Sequence, residues 1–208
     1  MDNKIKVDLS TFEGAIMYNR FVKEPNPCVN VTGRLDITNL YKRKKKHSLN
    51  AMICYCIVQA AQNINVFHYS IKRDGLYYYK NVKTNAVVNG DDGQLYYADY
   101  KYFDNFKDFE QEYQMVNQYC AKNCTSFLED TGCLIGTSAV IGYPFEVITS
   151  QNSTEFWDNF LSWGKFIKKW FKVTLCITLR FHHATIDGQH AAKFFNELQN
   201  QINNFKIK

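Results

Sequence analysis

Nine residues late in the chain, His182–His190, contain the side chains best suited to chemistry. They read H-H-A-T-I-D-G-Q-H, so two adjacent histidines are followed by Asp187, Gly188 and a third histidine. An imidazole titrates near neutral pH and can accept a proton and later return it, as a general base must. A carboxylate four residues after His183 and a glycine that lets backbone approach a ligand suit such a site. The segment therefore predicts acid–base chemistry centred on a histidine.

Two other interpretations of these histidines compete with this one. A lone histidine on an apolar strand face is most often a hydrogen-bonded core residue, but these histidines come with an acid and a glycine in one short segment. Zinc is the second interpretation, since imidazole is a common zinc ligand. Adjacent side chains of a strand point to opposite faces, and the sequence has neither a suitable Cys pair nor an H-E-x-x-H motif. The sequence therefore predicts no metal site.

The residues before the histidines predict the strand that positions them. From Val173 to His183, apolar side chains alternate with Thr, Cys, Thr, Arg and His182. Because strand side chains alternate between faces, His183 falls on the apolar face and His182 on the other. We therefore expect His183 at a strand-to-helix corner, between apolar walls that exclude water and shift a pKa. After the turn, helical spacing predicts an amphipathic helix with the core positions Ala191, Phe194, Phe195, Leu198 and Ile202.

The rest of the chain mixes helical and strand patterns. Apolar spacing predicts a helix with Ser48 as N-cap and another from Phe103 to Cys120. The mixed order favours an α/β (α+β) two-layer sandwich over a doubly wound parallel sheet. With no linker and no repeat, we expect residues 1–208 to form a single domain. Strands are predicted at Asn30–Ile37, at Ile71–Val88 as a hairpin, and within Cys133–Ile148.

The composition excludes several classes of protein. Of 208 residues, 46% are apolar and 16% aromatic, too many for a disordered chain. The longest apolar stretch, Val173–Phe181, is shorter than the ~20 residues of a membrane helix. Acids stand where a signal peptide would be apolar, so we expect a cytoplasmic protein. Seven cysteines in scattered apolar contexts predict free thiols.

The positive charge is concentrated in one block. The net charge is +5, and the five basic residues of Lys42–Lys46 account for all of it. Such a block can bind nucleic acid, but a solvated turn is the commoner outcome, and no stacking aromatics interleave it. We expect no nucleic-acid partner, and binding through this block stays an alternative.

Three further segments contain short motifs that can be compared together with the histidine motif. Val7–Ser10 reads V-D-L-S, Leu35–Thr38 reads L-D-I-T before the Lys-rich turn, and Ser162–Lys165 reads S-W-G-K. Together with His182–His190 they resemble the chloramphenicol acetyltransferases, whose signature is H-H-[SA]-x-x-D-G-[FY]-H and whose other elements include V-D-[IL]-S and T-x-G-K. Gln189 occupies the aromatic position of the signature. The resemblance covers nearly the whole chain.

The resemblance implies a fold, an activity and a set of site residues. In this family an α/β sandwich assembles as a homotrimer, and each active site lies between two subunits. Acetyl-CoA donates an acetyl group directly to the primary hydroxyl of chloramphenicol, without an acyl-enzyme and without a metal. His183 would be the general base of that reaction. The other implied roles are a structural ion pair for Asp187, an ordered water for Ser162, oxyanion stabilisation for Ser138, CoA binding for Lys165, and an acceptor pocket for Tyr96 and Cys28.

Two positions depart from the family pattern. The N-terminal register puts Gly14 where the family has the arginine that pairs with the motif aspartate, which leaves Asp187 without an identified partner. The family's oxyanion serine stands three residues before a Pro-Trp pair. Counting back from Pro144 gives Ile141, whereas Ser138 fits if a gap is allowed. Two alternatives follow: an acetyltransferase for another hydroxylated acceptor, and a catalytically impaired trimeric binding protein.

Overall fold

The structure is a computed structural model that describes residues 4–149 and 157–207. Its helices are α1 (Ala15–Phe21), α2 (Thr38–Tyr41), α3 (Leu49–Gln62), α4 (Phe106–Asn123) and α5 (Gly188–Asn204). A short 3₁₀ helix, Asn65–His68, precedes the third strand. The strands are β1 (Lys4–Lys6), β2 (Cys28–Asp36), β3 (Tyr69–Lys72), β4 (Gly75–Tyr79), β5 (Val82–Asn89), β6 (Leu95–Tyr100), β7 (Cys133–Ala139), β8 (Asn159–Trp163), β9 (Ile167–Lys169) and β10 (Lys172–His182).

Within the described ranges the strands form a large and a small sheet. The large sheet has seven strands in the order β2-β10-β8-β7-β5-β6, with β9 paired to one end of β10. Its β5–β7 and β7–β8 pairs are parallel and the others antiparallel. The small sheet has the order β1-β4-β3. Helices α3, α4 and α5 share one buried core with the large sheet, so the mixed α/β architecture expected from the sequence is confirmed.

Strand β10 carries the predicted alternation between an apolar and a polar face. Leu175, Ile177 and Leu179 are at most 3% exposed and pack in the core with the helices. On the opposite face, the hydroxyls of Thr178 and Thr32 lie 2.8 Å apart across β10 and β2. The two faces of this strand therefore meet different surroundings, one closed by helices and one lined by polar groups.

Local signals set the ends of the two longest core helices before α5. Ser48 caps α3, because its Oγ accepts a hydrogen bond from the Ala51 N–H over 3.2 Å. Asn105 caps α4 in the same way, with its Oδ1 accepting from the Asp108 N–H over 3.0 Å. The second cap corrects the sequence prediction, since α4 begins at Phe106 and Phe103 stays outside the helix.

The predicted hairpin over Ile71–Val88 is only partly correct. Strands β3 and β4 do form a hairpin, with Lys72 paired to Gly75 across the turn. The chain then leaves the small sheet, and β5 joins the large sheet between β6 and β7. The Thr84 hydroxyl anchors β5 there by donating to the Ile135 carbonyl over 2.8 Å. Strand pairing over such sequence distances is set by packing, which local turn signals do not encode.

Two expectations about the whole chain concern membranes and cysteines. In residues 4–149 and 157–207, no helix combines the length and apolar character needed to span a bilayer. All seven cysteines fall inside these ranges and are free thiols, as the sequence predicts. Cys54 and Cys56 are buried in α3, where they pack as small apolar side chains.

Candidate active site

Strands β10 and β2 fix the backbone of the histidine pair. They pair in antiparallel fashion up to His182, whose Cα lies opposite that of Cys28. The pairing continues one residue further, because the His183 N–H donates to the Pro27 carbonyl over 2.8 Å. A tight turn follows, in which the Ile186 N–H donates to the His182 carbonyl over 3.2 Å. His183 thus lies at the corner between β10 and α5.

The imidazole of His183 is half-buried and held by its neighbours. Its Nδ1 lies 3.2 Å from the Ile186 carbonyl oxygen, and its ring stacks on Phe21 with centroids 4.3 Å apart. Phe181 meets the ring edge-on at 6.4 Å. Because a carbonyl oxygen only accepts hydrogen bonds, Nδ1 carries the proton of the neutral ring and Nε2 keeps its lone pair. The fold therefore holds a proton-accepting nitrogen on a partly exposed ring.

The neighbouring His182 is buried and has the opposite proton arrangement. Its Nδ1 accepts a hydrogen bond from the Ala184 N–H over 3.1 Å, so the neutral ring carries its proton on Nε2. That Nε2 is buried and has no hydrogen-bond partner among the described residues. Burial, with smaller contributions from the neighbouring His183 and Arg180, lowers the pKa of His182 to about 4. His182 is therefore neutral near pH 7.

Asp187 caps helix α5. Its Oδ1 accepts from the His190 N–H over 2.9 Å, and its own N–H donates to the His190 Nδ1 over 3.3 Å, which closes a reciprocal capping box. The backbone hydrogen bond from His190 is the main reason that the pKa of Asp187 is lowered. The partner that the sequence leaves unidentified is thus the first turn of α5. This cap fixes the turn whose Ile186 carbonyl holds His183.

Gly14 stands where the resemblance implies an arginine. It is the N-cap residue of α1, and a Cβ at this position would lie 2.6 Å from the Cζ atom of Phe12. Any side chain here would have to displace the Phe12 ring, which packs against Tyr69 with centroids 5.0 Å apart. The observed position of the Phe12 ring therefore depends on the glycine, and an arginine at residue 14 would require that ring to move.

Four hydroxyl side chains form a row across the polar face of the large sheet. Ser138, Ser162, Thr178 and Thr32 lie in register on β7, β8, β10 and β2, so their side chains point to the same side. Ser162 donates to the Ile148 carbonyl over 3.1 Å, and Thr178 accepts from the Ile148 N–H over 3.3 Å. We call these four residues the hydroxyl row. The row brings Ser138 beside Ser162. It does not include Ile141, the other position considered for the oxyanion serine.

A cavity of about 420 Å³ opens at the end of the sheet far from His182 and His183. Lys165 and Lys44 line it together with His47, and its wall includes Trp163 and Leu175. An apolar wall with lysines around it suits a ligand that joins an apolar arm to phosphates. Within the described residues, no group of three or more His, Cys, Asp or Glu side chains is arranged to hold a metal ion.

The two residues assigned to an acceptor pocket lie far apart. Cys28 is half-buried on β2 opposite His182, and burial raises the pKa of its thiol. Tyr96 lies on β6, where its hydroxyl donates to Asp92 Oδ2 over 2.6 Å and its pKa rises to about 12 because of this bond. Strands β2 and β6 are the two edges of the large sheet. One chain therefore does not bring Tyr96 and Cys28 together.

Ser162 and Lys165 are also separated from His183 within one chain. Ser162 lies beside Thr178, five residues before His183 on β10 and on the opposite face. Leu175, in the wall of the Lys165 cavity, precedes His183 by eight residues. At 3.3 Å per residue, the cavity wall and the imidazole are about 26 Å apart along the strand. One chain thus holds two separate halves of the predicted constellation.

Sequence reasoning missed three groups that hold the histidine site. Phe21, which stacks on His183, comes from α1, and contacts between distant segments leave no mark in a single sequence. The Ile186 carbonyl is backbone, so no residue type announces it. The capping role of His190 had a signal, because an Asp three residues before a side chain that can reach back is a capping pattern.

Comparisons with known proteins identify the family of this chain. The profile of the family described as chloramphenicol acetyltransferase matches residues 2–199, and the chain belongs to that family. A chloramphenicol acetyltransferase from Clostridium perfringens is 22% identical over 210 residues, which cover 96% of this chain and 95% of the relative. Another from Staphylococcus aureus is 23% identical and covers 94% and 97%. The protein is therefore an acyltransferase of a family that uses acetyl-CoA and small-molecule acceptors.

Solved structures show the same fold. A chloramphenicol acetyltransferase superposes with a TM-score of 0.83 at 24% identity and covers 96% of this chain and 99% of its own. A probable dihydrolipoamide acetyltransferase from Listeria monocytogenes gives a TM-score of 0.72 at 14% identity and covers 100% and 99%. The expected chloramphenicol acetyltransferase-like sandwich is confirmed.

Proposed function

We propose that this protein transfers the acetyl group of acetyl-CoA to a hydroxyl of chloramphenicol, which inactivates the antibiotic, and that His183 is the general base. The proton arrangement of His183 carries this proposal. Its Nδ1–H is engaged by the Ile186 carbonyl, and its Nε2 is left as the acceptor on a partly exposed ring. The family membership supports the reaction class, and the 22% identity leaves the acceptor to be tested.

In the proposed reaction, Nε2 of His183 removes the proton of the acceptor hydroxyl while its oxygen attacks the thioester carbonyl carbon. The carbonyl oxygen becomes the oxyanion of a tetrahedral intermediate. When that intermediate collapses, the carbon–sulfur bond breaks, and the CoA thiolate takes the proton back from Nε2. The products are the acetyl ester and CoA with a free thiol. General-base catalysis of this kind typically contributes about 10² to 10⁴ in rate.

We propose further that each active site is shared between two copies of the chain in a homotrimer. Support comes from the separation within one chain, where His183 ends one face of β10 and the hydroxyl row lies on the other. No rotation of side chains closes about 26 Å along a strand. A second copy has to bring its hydroxyl row and Lys165 cavity to His183. The same arrangement lets Tyr96 and Cys28 contribute to one acceptor pocket from different chains.

The remaining residues have positioning and binding roles in this proposal. Ser138 donates to the oxyanion, and Ser162, beside it, holds a water near the intermediate. Lys165 and Lys44 bind phosphates of CoA, and the apolar cavity wall contacts its pantetheine arm. Asp187 is a positioning residue, because it caps α5 and so fixes the turn that holds His183.

Thiol release from acetyl-CoA in the presence of chloramphenicol tests the proposal. His183→Asn is the sharpest variant, because its amide N–H can still donate to the Ile186 carbonyl while the basic nitrogen is lost. Turnover should fall at least about 10²-fold. His182→Asn is the matched control, since its amide oxygen can accept from the Ala184 N–H. That variant should retain most of the turnover per folded protein.

Three outcomes distinguish the alternatives. Undiminished turnover in His183→Asn would contradict the general-base role. Release of thiol with another hydroxylated acceptor, but not with chloramphenicol, would keep the chemistry and replace the substrate. Silence across a broad acceptor panel, with acetyl-CoA still bound, would support the catalytically impaired binding protein.

A further inference from the structure

A basic surface lies at the turn between β9 and β10, and two of its lysines, Lys44 and Lys165, also line the cavity proposed to bind CoA. Two chain segments contribute to it, residues 42–46 and residues 165–172, and neither contains an acid. Most of its cationic side chains are exposed. We call this region the basic hairpin surface. Its cations are Lys42, Arg43, Lys44, Lys45, Lys46, Lys165, Lys168, Lys169 and Lys172.

Aromatic contacts join the two segments into one surface. Tyr41 and Phe166 meet edge-on with centroids 5.0 Å apart. Lys44 Nζ lies 4.3 Å from the Tyr41 centroid and 5.2 Å from that of Phe166, and Lys168 Nζ lies 5.7 Å from Tyr41. The basic block that the sequence showed as an isolated feature is therefore packed against the hairpin. An acid, Asp36, meets this surface 3.5 Å from Lys172 Nζ.

Two large aromatic side chains project from the tip of this hairpin. Trp170 is 91% exposed and Phe171 is 93% exposed. They form the two-residue turn between Lys169 and Lys172, whose Cα atoms are paired. Solvent-exposed turn positions are usually occupied by polar residues. Adjacent exposed Trp and Phe residues at a turn, with lysines on both sides, are therefore unusual.

The backbone at the tip disfavours the residue that it carries. Trp170 is the first residue of the two-residue turn and has a φ of 51°. This φ lies in the left-handed region, which favours glycine at that turn position. A side chain in this region is strained, and strain of this kind is concentrated at functional sites. Burial of the indole does not offset the strain, because the side chain is almost fully exposed. Contact with something outside the chain would give the indole a role.

We propose that the basic hairpin surface docks on an anionic lipid bilayer. Trp170 and Phe171 would enter the boundary between headgroups and acyl chains, where amphipathic aromatic side chains are favoured. The surrounding lysines would meet the negative surface potential of the leaflet. The aromatics project from a convex tip, whereas proteins that bind single-stranded nucleic acids stack bases along a charged groove. The shape therefore favours a bilayer over a nucleic acid.

Binding to lipid vesicles tests the proposal on the full chain. Vesicles that contain phosphatidylserine should sediment with the protein and shift its tryptophan emission to the blue, and phosphatidylcholine vesicles should do neither. Added salt should weaken the binding. Trp170→Gly combined with Phe171→Ser should reduce partitioning at least about tenfold. Because glycine adopts the left-handed conformation readily, this variant should fold at least as well as the parent.

Matched variants separate the two components of the surface. Lys168→Gln with Lys169→Gln removes charge and leaves both aromatics, and it should also weaken binding to anionic vesicles. Met115→Gln removes an exposed apolar side chain from α4, where Met115 is 63% exposed, and should leave binding unchanged.

Four results would overturn the proposal. The first is that anionic vesicles fail to bind, and the second is that phosphatidylcholine vesicles bind equally well. The third is that the protein binds an oligonucleotide instead of vesicles, and that the same variants abolish this oligonucleotide binding. The fourth is a tryptophan emission that shifts with protein concentration alone and no longer shifts in Trp170→Gly, since that would identify a second copy of the chain as the occupant.

Discussion

His182 and His183 are adjacent in the chain and hold their protons on opposite ring nitrogens. The Ala184 N–H makes His182 Nδ1 an acceptor, whereas the Ile186 carbonyl makes His183 Nδ1 a donor. The alternation of β10 sends the two rings to opposite faces, and the turn that follows supplies each with a different backbone partner. One imidazole is thereby kept as a buried neutral group and the other as a base with a free lone pair.

Replacing His182 should change how stability depends on pH. Its pKa is lowered from 6.5 to about 4 in the fold, so the unfolded chain binds more protons between these values. Stability from the neutral ring is therefore complete above about pH 6.5 and is lost as pH falls towards 4, by up to about 3 kcal/mol. The unfolding free energies of wild type and His182→Asn should therefore be measured at pH 7 and pH 4.5. The difference between the two proteins should change between these pH values, because only wild type loses the contribution of the neutral ring. A difference independent of pH would refute the burial argument.

Asp187 should matter for stability more than for the chemical step. Asp187→Ala removes the cap of α5 and should cost about 1 kcal/mol, measured by denaturant unfolding. Asn caps nearly as well, so Asp187→Asn should lose only the interaction of the charge with the helix, about 0.3–1 kcal/mol. A pH titration of both variants provides a further check. The pKa of Asp187 is lowered, so its contribution is present above the unfolded pKa and lost as pH falls through the folded one.

The turnover of Asp187→Asn should distinguish a helix-capping role of Asp187 from a direct role of its charge in the reaction. If this variant keeps its unfolding midpoint but loses all thiol release, the carboxylate acts on the reaction itself. Retained turnover with a small stability loss is the expected result.

Ser138 should support the transition state through its hydroxyl. Ser138→Ala should lower kcat by about 10²-fold, the typical effect of losing one oxyanion donor, with a smaller change in KM. Ser138→Thr keeps a hydroxyl in the row and should recover part of the loss. Equal kcat values for the Ala variant and the wild type would remove Ser138 from the mechanism and leave the oxyanion donor to be found elsewhere.

Mixing two inactive variants should restore activity if the site is shared. His183→Ala chains keep their hydroxyl row, and Ser138→Ala chains keep their base, so some contacts in a mixed ring combine two intact halves. Co-expression in equal amounts should recover about a quarter of wild-type turnover. Each site needs an intact His183 from one chain and an intact Ser138 from its neighbour, and each of these is present in half of the chains. Mixtures no more active than the average of the two parents would indicate a site within one chain.

Part of this architecture was predictable from the sequence, because its causes are local. The faces of β10 follow from the alternation of side chains, and the start of α3 follows from Ser48 as a cap. The strand-to-helix corner at His183 has the same local origin. Turn chemistry placed the β3–β4 hairpin correctly, and it had no information on where β5 would pair.

Non-local geometry was beyond the sequence for a physical reason. Phe21 reaches His183 only because α1 folds against the end of β10, and no pattern within α1 encodes that contact. The choice between Ser138 and Ile141 depended on a gap that sequence counting cannot place. The parallel register of β7 and β8 puts Ser138 opposite Ser162, which favours the gapped alignment.

The length of β10 also determines how many complete sites an assembly can contain. In the shared-site proposal a lone chain has no complete site, because His183 and the Lys165 cavity lie about 26 Å apart along one strand. Two copies joined head to tail have one complete site and two unused halves, whereas a closed ring of three has three sites and no unused half. Specific activity per chain should therefore fall on dilution more steeply than the fraction of chains that remain folded.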